Sequence, residues 1–434
     1  MSFRLKLLLL FLFTLVFSVA GVAAQELPAD SLASQAAGST FDVEAATQAY
    51  LNSLTPAQKA KSDAYFEGGY WLQLWRILYA LGIAAVFLVG GLSRRMKALT
   101  ARLPGQALRT LAYAALYFLL AGLLSFPLQV YTDFIREHQY DLSNQSFGEW
   151  LLYVLKSEAL SVVFGSLLIL VLYLMVRRTG RRWWQWGTVI VMFFLTLSVF
   201  VSPVFIRPLF NKYTPLPAGP VREAILSMAR ANGVPADNVY LVDASRQSKR
   251  ISANVSGLGS TIRVSLNDNL LNRSTPAEVQ AVMGHELGHY VLNHIPKMLI
   301  FFAIIVGLGF WFVDWAFHRL LVRYGARWDV AGIGDVGGLP LALALFALFT
   351  FLGTPLFNTI IRTNEQEADV FGLNAARQPD GFAKTAMKLS EYRKINPGPW
   401  EEILFFDHPS GRTRVLTAMR WKAEHLKEMK SSEQ

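Results

Sequence analysis

Two histidines and a glutamate lie close together in the stretch MGHELGHYVLN, residues 283–293. His285 and His289 are four residues apart, so on a helix their imidazoles share one face and can converge on one metal ion. Glu286 points to the adjacent side of that helix. Two neutral nitrogens that hold an ion, with a carboxylate beside the open coordination position to take a proton from water, are the arrangement of a zinc peptidase.

The residues before this motif favour a helix that begins just ahead of it. Thr275, Pro276 and Glu278 are typical of an N-cap, a first-turn proline and the reciprocal carboxylate of a capping box. Two histidines can also meet by chance on a solvated or core helix. Because the ligand pair, the neighbouring base and the helix start agree, the sequence favours a metal site over that alternative.

A catalytic zinc needs a third protein ligand, which must come from elsewhere in the chain. The best candidates lie in RTNEQEADVFGLNA, residues 362–375, a polar stretch that follows the last apolar run. Glu365 and Asp369 share one helical face, so Glu365 could bind zinc while Asp369 orients a ligand histidine through its second ring nitrogen. Glu367 would face elsewhere. An ordinary acidic, solvated helix turn is the alternative that these residues alone leave open.

The composition of the 434-residue chain is that of a polytopic membrane protein. Hydrophobic residues make up 53% of it and charged residues only 17%, which argues against a soluble enzyme. There is no cysteine, so a zinc ion would be held by His, Asp or Glu. The formal net charge is +10, but many Arg and Lys residues flank apolar runs, where they set orientation. We therefore expect no nucleic-acid partner.

Seven apolar runs divide the chain. The first, within residues 1–24, is a signal peptide or a first membrane anchor, and the polar residues 25–69 form an extramembrane segment. The other six runs are each long enough to cross about 30 Å of hydrocarbon, and they lie at roughly 70–92, 108–131, 150–176, 184–206, 298–317 and 339–361.

The fold class predicted is therefore mainly α, a polytopic membrane protein of about seven transmembrane helices with a small α/β zinc-metallopeptidase lobe. Residues 70–206 form a four-helix membrane region and residues 298–361 two further membrane helices. The lobe would combine 207–297, which contains HELGH, with 362–434, which contains the third ligand.

Within the lobe, the sequence predicts a short amphipathic helix at 221–231 and strands at 239–242 and 262–266. The metal helix is expected to break near Pro296 and to continue as a membrane span. The site would then lie at or below the membrane surface.

The short connections between the apolar runs differ in charge. The loop 132–149 is mostly acidic and polar, whereas the connections on either side of it are basic, with Arg94, Arg95, Lys97, Arg102 and Arg109 in one and Arg177, Arg178, Arg181 and Arg182 in the other. By the positive-inside rule the basic connections are cytoplasmic. The catalytic lobe would then face outward, which in a bacterial inner membrane is the periplasmic side.

At this point the motifs resemble those of the CAAX prenyl protease type I family, which are integral-membrane zinc metalloproteases. The family's HExxH motif is met by HELGH at 285–289. Its SRxxExxAD motif is met by Arg362, Glu365, Ala368 and Asp369, with Ile361 in place of the serine. The segments PLFNKYTPL at 208–216 and FIREHQYDLSNQS at 134–146 are also similar to the family. The resemblance makes Glu365 the third zinc ligand.

The resemblance also implies residues that contact substrate. The family's histidine and arginine near the C-terminus, thought to touch substrate or the transition state, fall on His408 and Arg414. Its substrate-pairing edge strand, usually Asn-Ala-Tyr before a glycine, here has Ser252, Ala253 and Asn254. Either Ser252 or Asn254 could replace the missing asparagine, and the sequence leaves both open.

The predicted function is that of a membrane-embedded zinc metalloendopeptidase with one Zn²⁺ per chain, acting on peptide or membrane-protein substrates in the lipid bilayer, by resemblance in CAAX-type processing. Glu286 would be the general base, and zinc with His408 or Arg414 would stabilise the oxyanion.

Two other classes of protein are weighed against a protease. The first is a non-catalytic zinc-containing membrane chaperone or scaffold, but a structural site needs no base such as Glu286 and is normally closed by a fourth protein ligand. The second is a transporter, indicated only by Lys156 and Glu158 within an apolar run.

Overall fold

The computed structural model describes residues 41–257 and 262–432, most of which are helical. The predicted signal peptide or first anchor lies outside the described residues. The α-helices are α1 (Val43–Leu51), α2 (Pro56–Leu88), α3 (Leu92–Thr100), α4 (Gln106–Gln129), α5 (Arg136–Gln139), α6 (Phe147–Thr179), α7 (Trp183–Val201), α8 (Pro220–Ala231), α9 (Asp268–Arg273), α10 (Pro276–Val291), α11 (His294–Trp328), α12 (Leu339–Ala376), α13 (Pro379–Leu389), α14 (Pro399–Phe405), α15 (Gly411–Glu424) and α16 (Leu426–Ser432).

Five helical runs among the described residues are long and apolar enough to cross a membrane, judged by length and composition. One of them, Phe147–Leu209, contains two packed α-helices, α6 and α7, separated by a tight turn at Gly180–Arg182. The six runs predicted between residues 70 and 361 therefore all fall on these helices. The multi-pass, mainly helical architecture is confirmed, and the total of seven spans stays a prediction.

Helix α2 begins well before the apolar run that predicted it. Thr55 caps it, accepting from the backbone N–H of Gln58 at 3.2 Å, and the Gln58 side chain accepts from the Thr55 N–H at 3.0 Å. The polar first turns make contacts of their own, because Ser62 Oγ donates to the Arg393 carbonyl at 3.0 Å. Part of the segment predicted as extramembrane is thus the start of a long helix that reaches the lobe formed by residues after 207.

Four short strands form the sheet of the lobe, in the order β1-β2-β4-β3. Strand β2 (Val239–Val242) is parallel to β4 (Arg263–Asn267), while β1 (Tyr213–Pro215) and β3 (Ala253–Ser256) pair antiparallel with β2 and β4. β2 and β4 match the two predicted strands to within one residue. β3 is an edge strand, so one side of its backbone is unpaired within the sheet.

One face of this sheet is apolar and packs on helices α8 and α10. Val239, Val264 and Leu266 are fully buried there, in one core with Ile225 of α8 and Leu287 of α10. The period of two along β4 sends its apolar side chains to this face. The sheet thereby fixes the position of the helix that carries the HELGH motif.

The metal helix α10 ends earlier than the sequence predicts. The break lies at Leu292 and Asn293, and Asn293 has a left-handed backbone with φ of 57°, which asparagine tolerates better than most residues. Pro296 lies in the first turn of α11, where a proline costs little because that N–H has no helical partner. The predicted interruption is therefore present, at Leu292 and Asn293 rather than at Pro296 itself, and the chain continues from His294 into a candidate membrane span.

Candidate metal centre and active site

Helices α10 and α12 bring three possible metal ligands together. The His285, His289 and Glu365 side chains each offer a ligand atom, and these atoms lie within 4.8 Å of one another. The two Nε2 atoms are 3.1 Å apart. His285 Nε2 is 3.3 Å from Glu365 Oε2, and His289 Nε2 is 3.4 Å from Glu365 Oε1. The three residues predicted as ligands thus lie around one point.

Asp369 and Arg414 lie behind His285. The Nδ1 atom of His285 is 2.8 Å from Asp369 Oδ1. Arg414 donates from Nε to Asp369 Oδ2 at 2.8 Å and from Nη2 to Oδ1 at 2.6 Å. Both side chains are buried, so this bidentate pair is shielded from water and fixes the carboxylate. Arg414 reaches the site chiefly through Asp369, since its Nη2 lies 3.6 Å from Glu365 Oε2.

A second line of contacts lies behind His289, and the sequence reading missed it. His289 Nδ1 and His294 Nδ1 are 2.9 Å apart, and His294 Nε2 is 3.1 Å from Glu367 Oε2. Lys297 Nζ also donates to Glu367 Oε2, at 2.9 Å. The sequence shows a histidine five residues after His289, but its contact with His289 depends on the helix break between the two residues.

The donor set fits a zinc ion. Carboxylates only accept hydrogen bonds, so Asp369 favours a proton on His285 Nδ1, and Glu367 favours one on His294 Nε2. His294 Nδ1 can then accept from His289 Nδ1, which leaves an Nε2 lone pair on both candidate ligands. Two such nitrogens and a carboxylate oxygen form a catalytic zinc set with a position left open.

A cavity of about 240 Å³ opens beside these ligands. Glu286 lines it, and burial raises the pKa of the Glu286 carboxyl above its ordinary value. Ser252 and Ala253 line it from the start of β3. Asn254 is not among the lining residues, and its Oδ1 is buried without a hydrogen-bond partner in the described part of the chain. Ser252 is thus the better placed of the two candidates to meet a substrate.

His408 lines the same cavity from the connection between α14 and α15. Its Nε2 is 3.2 Å from Glu365 Oε2, and its Nδ1 is 2.8 Å from Asp407 Oδ1. The contact with Asp407 is a hydrogen bond, whereas the approach to Glu365 is close but lacks hydrogen-bond geometry. Arg393, which the sequence reading did not single out, also lines the cavity.

Comparison with known proteins assigns both halves of the chain. Residues 215–422 match the family model of peptidase family M48, and residues 43–212 match that of the CAAX prenyl protease N-terminal region, described as five membrane helices. The chain is 29% identical to the uncharacterized metalloprotease YhfN of Bacillus subtilis, over 77% of this chain and 79% of the relative. It is 28% identical to CAAX prenyl protease 1 of Saccharomyces cerevisiae, over 74% of each.

The fold is also that of a solved structure. The crystal structure of S. mikatae Ste24p superposes with a TM-score of 0.73 at 23% identity, covering 84% of this chain and 90% of that one. Together the two family models span nearly all of residues 43–422. The chain therefore belongs to peptidase family M48 and is a multi-pass membrane metalloprotease.

Proposed function

We propose that this metalloprotease is a zinc endopeptidase in which His285, His289 and Glu365 hold one Zn²⁺. The observation that carries the proposal is the convergence of these three side chains, with ligand atoms within 4.8 Å of one another, beside Glu286 in one cavity. When bound, the ion would supply Lewis-acid activation of water and of the scissile carbonyl.

Glu286 is proposed as the general base. It is the ionisable side chain of the cavity next to the ligands on α10, and burial favours its uptake of a proton. It would take a proton from the attacking water and return it to the nitrogen of the leaving amine.

His408 is proposed as the donor to the oxyanion. Its Nε2 lies 3.2 Å from Glu365 Oε2, so a protonated ring would present an N–H next to the metal ligands. The sequence left His408 and Arg414 as alternatives for this role. Arg414 gives two hydrogen bonds to Asp369, so we assign it the positioning of Asp369 and, through it, of His285.

The substrate is proposed to bind as an added strand at β3. Ser252 O accepts from Asn267 N at 2.9 Å, on the inner side of the β3–β4 pair. In an antiparallel pair the next residue directs its backbone groups the other way, so Ala253 presents its N–H and C=O to the free edge. An extended peptide bonded there would lie along the cavity wall.

We further propose that the substrates are peptides or membrane proteins that reach the lobe from the bilayer. The helices α2 and α12, which contact the lobe, are among the long apolar runs, and the yeast relative is named a CAAX prenyl protease. CAAX-type processing of lipid-modified chains is therefore one candidate activity. The similarity to a Bacillus subtilis metalloprotease favours a bacterial membrane, and the charge pattern favours the lobe on its outer side.

The test measures zinc content and peptide cleavage on the full chain purified in detergent. Wild type, Glu286→Gln and Glu365→Ala are compared, with the exposed Glu424→Gln as a matched control. We expect Glu286→Gln to retain zinc and to lose cleavage by about 100-fold or more, Glu365→Ala to bind zinc weakly, and Glu424→Gln to behave as wild type.

Two results would refute the proposal. Normal cleavage by Glu286→Gln would exclude it as the general base. Stoichiometric zinc in a wild-type protein that cuts no peptide in a broad library would favour the zinc-containing scaffold instead.

A further inference from the structure

Arg393 is a cation of the active-site cavity that feels the charges of Asp407 and Glu365 but is paired with neither of them. It lies in the turn between α13 and α14 and lines the cavity together with His285, Glu286 and Glu365. Within residues 41–257 and 262–432, its guanidinium makes no ion pair or hydrogen bond, and its one aromatic contact is the Tyr392 ring, 6.0 Å away. Its donors are therefore available to a bound molecule.

The neighbouring cations are each paired. Arg414 forms the bidentate pair with Asp369. Lys394, the next residue in the same turn, binds Glu67 Oε1 at 2.7 Å and Glu401 Oε1 at 2.8 Å. Arg393 therefore differs from Arg414 and Lys394 in having no carboxylate paired with it.

The turn that carries Arg393 is held in place from outside the cavity. The Arg393 carbonyl accepts from Ser62 Oγ at 3.0 Å, and the Lys394–Glu67 pair ties the same turn to α2. The guanidinium is therefore presented from an anchored backbone. A group fixed before binding loses less conformational entropy when it captures a ligand.

The chemistry of this group selects its ligand. A half-buried guanidinium has lost part of its hydration, which costs free energy unless an acceptor replaces it. Its planar fork matches the two oxygens of a carboxylate. Two nearby carboxylates already have partners, because Asp369 binds Arg414 and Asp407 lies 2.8 Å from His408 Nδ1. The other two carboxylates of the cavity, Glu286 and Glu365, form no ion pair with Arg393 and belong to the proposed metal site.

We propose that Arg393 binds a carboxylate of the peptide substrate, either its free C-terminus or an acidic side chain, and so makes the enzyme selective for peptides with a negative charge near the cleaved bond. The cavity that Arg393 lines is also lined by Ser252 and Ala253, so a strand paired with β3 passes it. This inference rests on the proposed endopeptidase function.

The first experiment compares peptide pairs that differ in one charge. In the first pair, one sequence ends in either a C-terminal carboxylate or a C-terminal amide. In the second pair, both peptides end in an amide, and they differ by Glu or Gln at one position near the cleaved bond. The full-length enzyme is assayed for kcat/KM as wild type, Arg393→Gln and Arg393→Lys. The control is Lys384→Gln, a change at an exposed cation of α13 that does not line the cavity.

The expected result is a preference of wild type for the anionic member of one pair by at least about tenfold. The ratio of kcat/KM between the two members falls towards one in Arg393→Gln, is kept in part in Arg393→Lys and is unchanged in the control Lys384→Gln. The pair that shows it identifies the source of the carboxylate. An unchanged preference in Arg393→Gln, or no preference in wild type, overturns the proposal.

A binding measurement separates this proposal from the proposed function. The same labelled peptides are titrated against the Glu286→Gln protein, with and without Arg393→Gln, and followed by fluorescence anisotropy. Tighter binding of the anionic form that Arg393→Gln abolishes supports the proposal even if the chain cuts nothing. Equal binding of both forms, or binding of neither, contradicts it even if cleavage is normal.

Discussion

At the scale of single residues, the candidate metal site depends on side chains that are not themselves candidate ligands but contact the ligand histidines. His285 is backed by Asp369 and Arg414, whereas His289 is backed by His294, which in turn contacts Glu367. An imidazole that binds a metal through Nε2 must carry its proton on Nδ1, and a partner that accepts this proton fixes both the tautomer and the ring plane. His294 is 3% exposed, so water cannot readily replace it.

We predict that His294→Ala weakens zinc binding by about 10- to 100-fold. Zinc affinity should fall because the His289 ring would lose the acceptor for its Nδ1 proton and would no longer be held in one orientation. It is measured by competition with a chelator of known affinity on the purified chain. The control is His318→Ala, a change at an exposed histidine of α11, for which we expect wild-type affinity. Equal affinities of the two variants would contradict the role of His294.

The sequence predicted the residues that lie close together because of their spacing along one helix. His285, Glu286 and His289 lie within one turn and a half, so their neighbourhood follows from helical geometry alone. Glu365 needed the family resemblance, because an acidic helix turn is common in solvated helices. His294 and Arg393 could not be predicted, since their partners are set by a helix break and by a turn anchored to a distant helix.

At the scale of elements, the site exists because α10 and α12 approach very closely. A Cβ atom on Gly372 would lie 2.7 Å from the backbone N of His285, and one on Gly284 would lie 2.9 Å from the Gly372 carbonyl oxygen. Both obstacles are backbone atoms, which cannot swing aside as a side chain can. Glycine at these two positions therefore sets the distance between the histidines of α10 and Glu365 of α12.

We predict that Gly372→Ala separates the two helices and impairs the site. The added methyl group should cost about 1–3 kcal/mol of stability and weaken zinc affinity by at least about tenfold. Thermal unfolding in detergent and chelator competition measure the two effects. Gly69→Ala in α2, where an added Cβ meets nothing within 4 Å, should be neutral or slightly stabilising. Wild-type zinc affinity in Gly372→Ala would refute the argument.

The N-terminus of α10 is fixed by a buried carboxylate. Glu278 Oε2 accepts from the Thr275 backbone N–H at 2.6 Å and from Lys388 Nζ at 2.8 Å. Burial by itself would raise the pKa of Glu278, but Lys388 and the Thr275 bonds outweigh it and lower that pKa below 4.5. The ionised form is thus favoured by folding.

We predict that Glu278 stabilises the fold in a pH-dependent way. Since its folded pKa is below the ordinary value, its contribution is complete above about pH 4.5 and is lost as the pH falls through the folded value. At pH 7, Glu278→Gln should reduce the free energy of unfolding by about 1 kcal/mol and so lower the unfolding temperature. The difference in unfolding temperature between the variant and wild type should disappear at lower pH. The control is Glu424→Gln. A gap that stays constant from pH 7 to pH 3 would show that ionisation of Glu278 is not the cause.

At the scale of the whole molecule, the connections sort to two ends of the helices. Lys97 pairs with Asp335 at 3.0 Å, and Arg177 donates to the Gly334 carbonyl at 3.0 Å, so three connections meet at one end. At the other end, Arg250 of the lobe pairs with Glu137 at 2.7 Å. The basic connections and the catalytic lobe therefore lie on opposite ends, as counting apolar runs predicted.

The sequence predicted the membrane helices because hydrocarbon imposes a length and a composition on each of them. It did not predict that the start of α2 belongs to the lobe. Tyr70 of that helix donates to Glu401 at 2.7 Å, and Tyr50 of α1 donates to Asp380 at 2.7 Å. Such contacts join residues more than three hundred positions apart, and no local pattern in a polar segment encodes them.

We predict that the lobe faces the outside of the membrane in which the chain is inserted. Basic connections stay on the cytoplasmic side, and the lobe lies at the end opposite to them.

Since the chain has no cysteine, the labelling of a single introduced cysteine reports which side of the membrane that residue faces. In bacterial spheroplasts, a membrane-impermeant maleimide should label Lys427→Cys in α16, whereas Arg95→Cys in α3 should be labelled only after permeabilisation. Both positions are exposed, so a difference in labelling reports the membrane and not burial. The reverse pattern would place the catalytic lobe in the cytoplasm, and the proposed substrates would then have to reach it from that side.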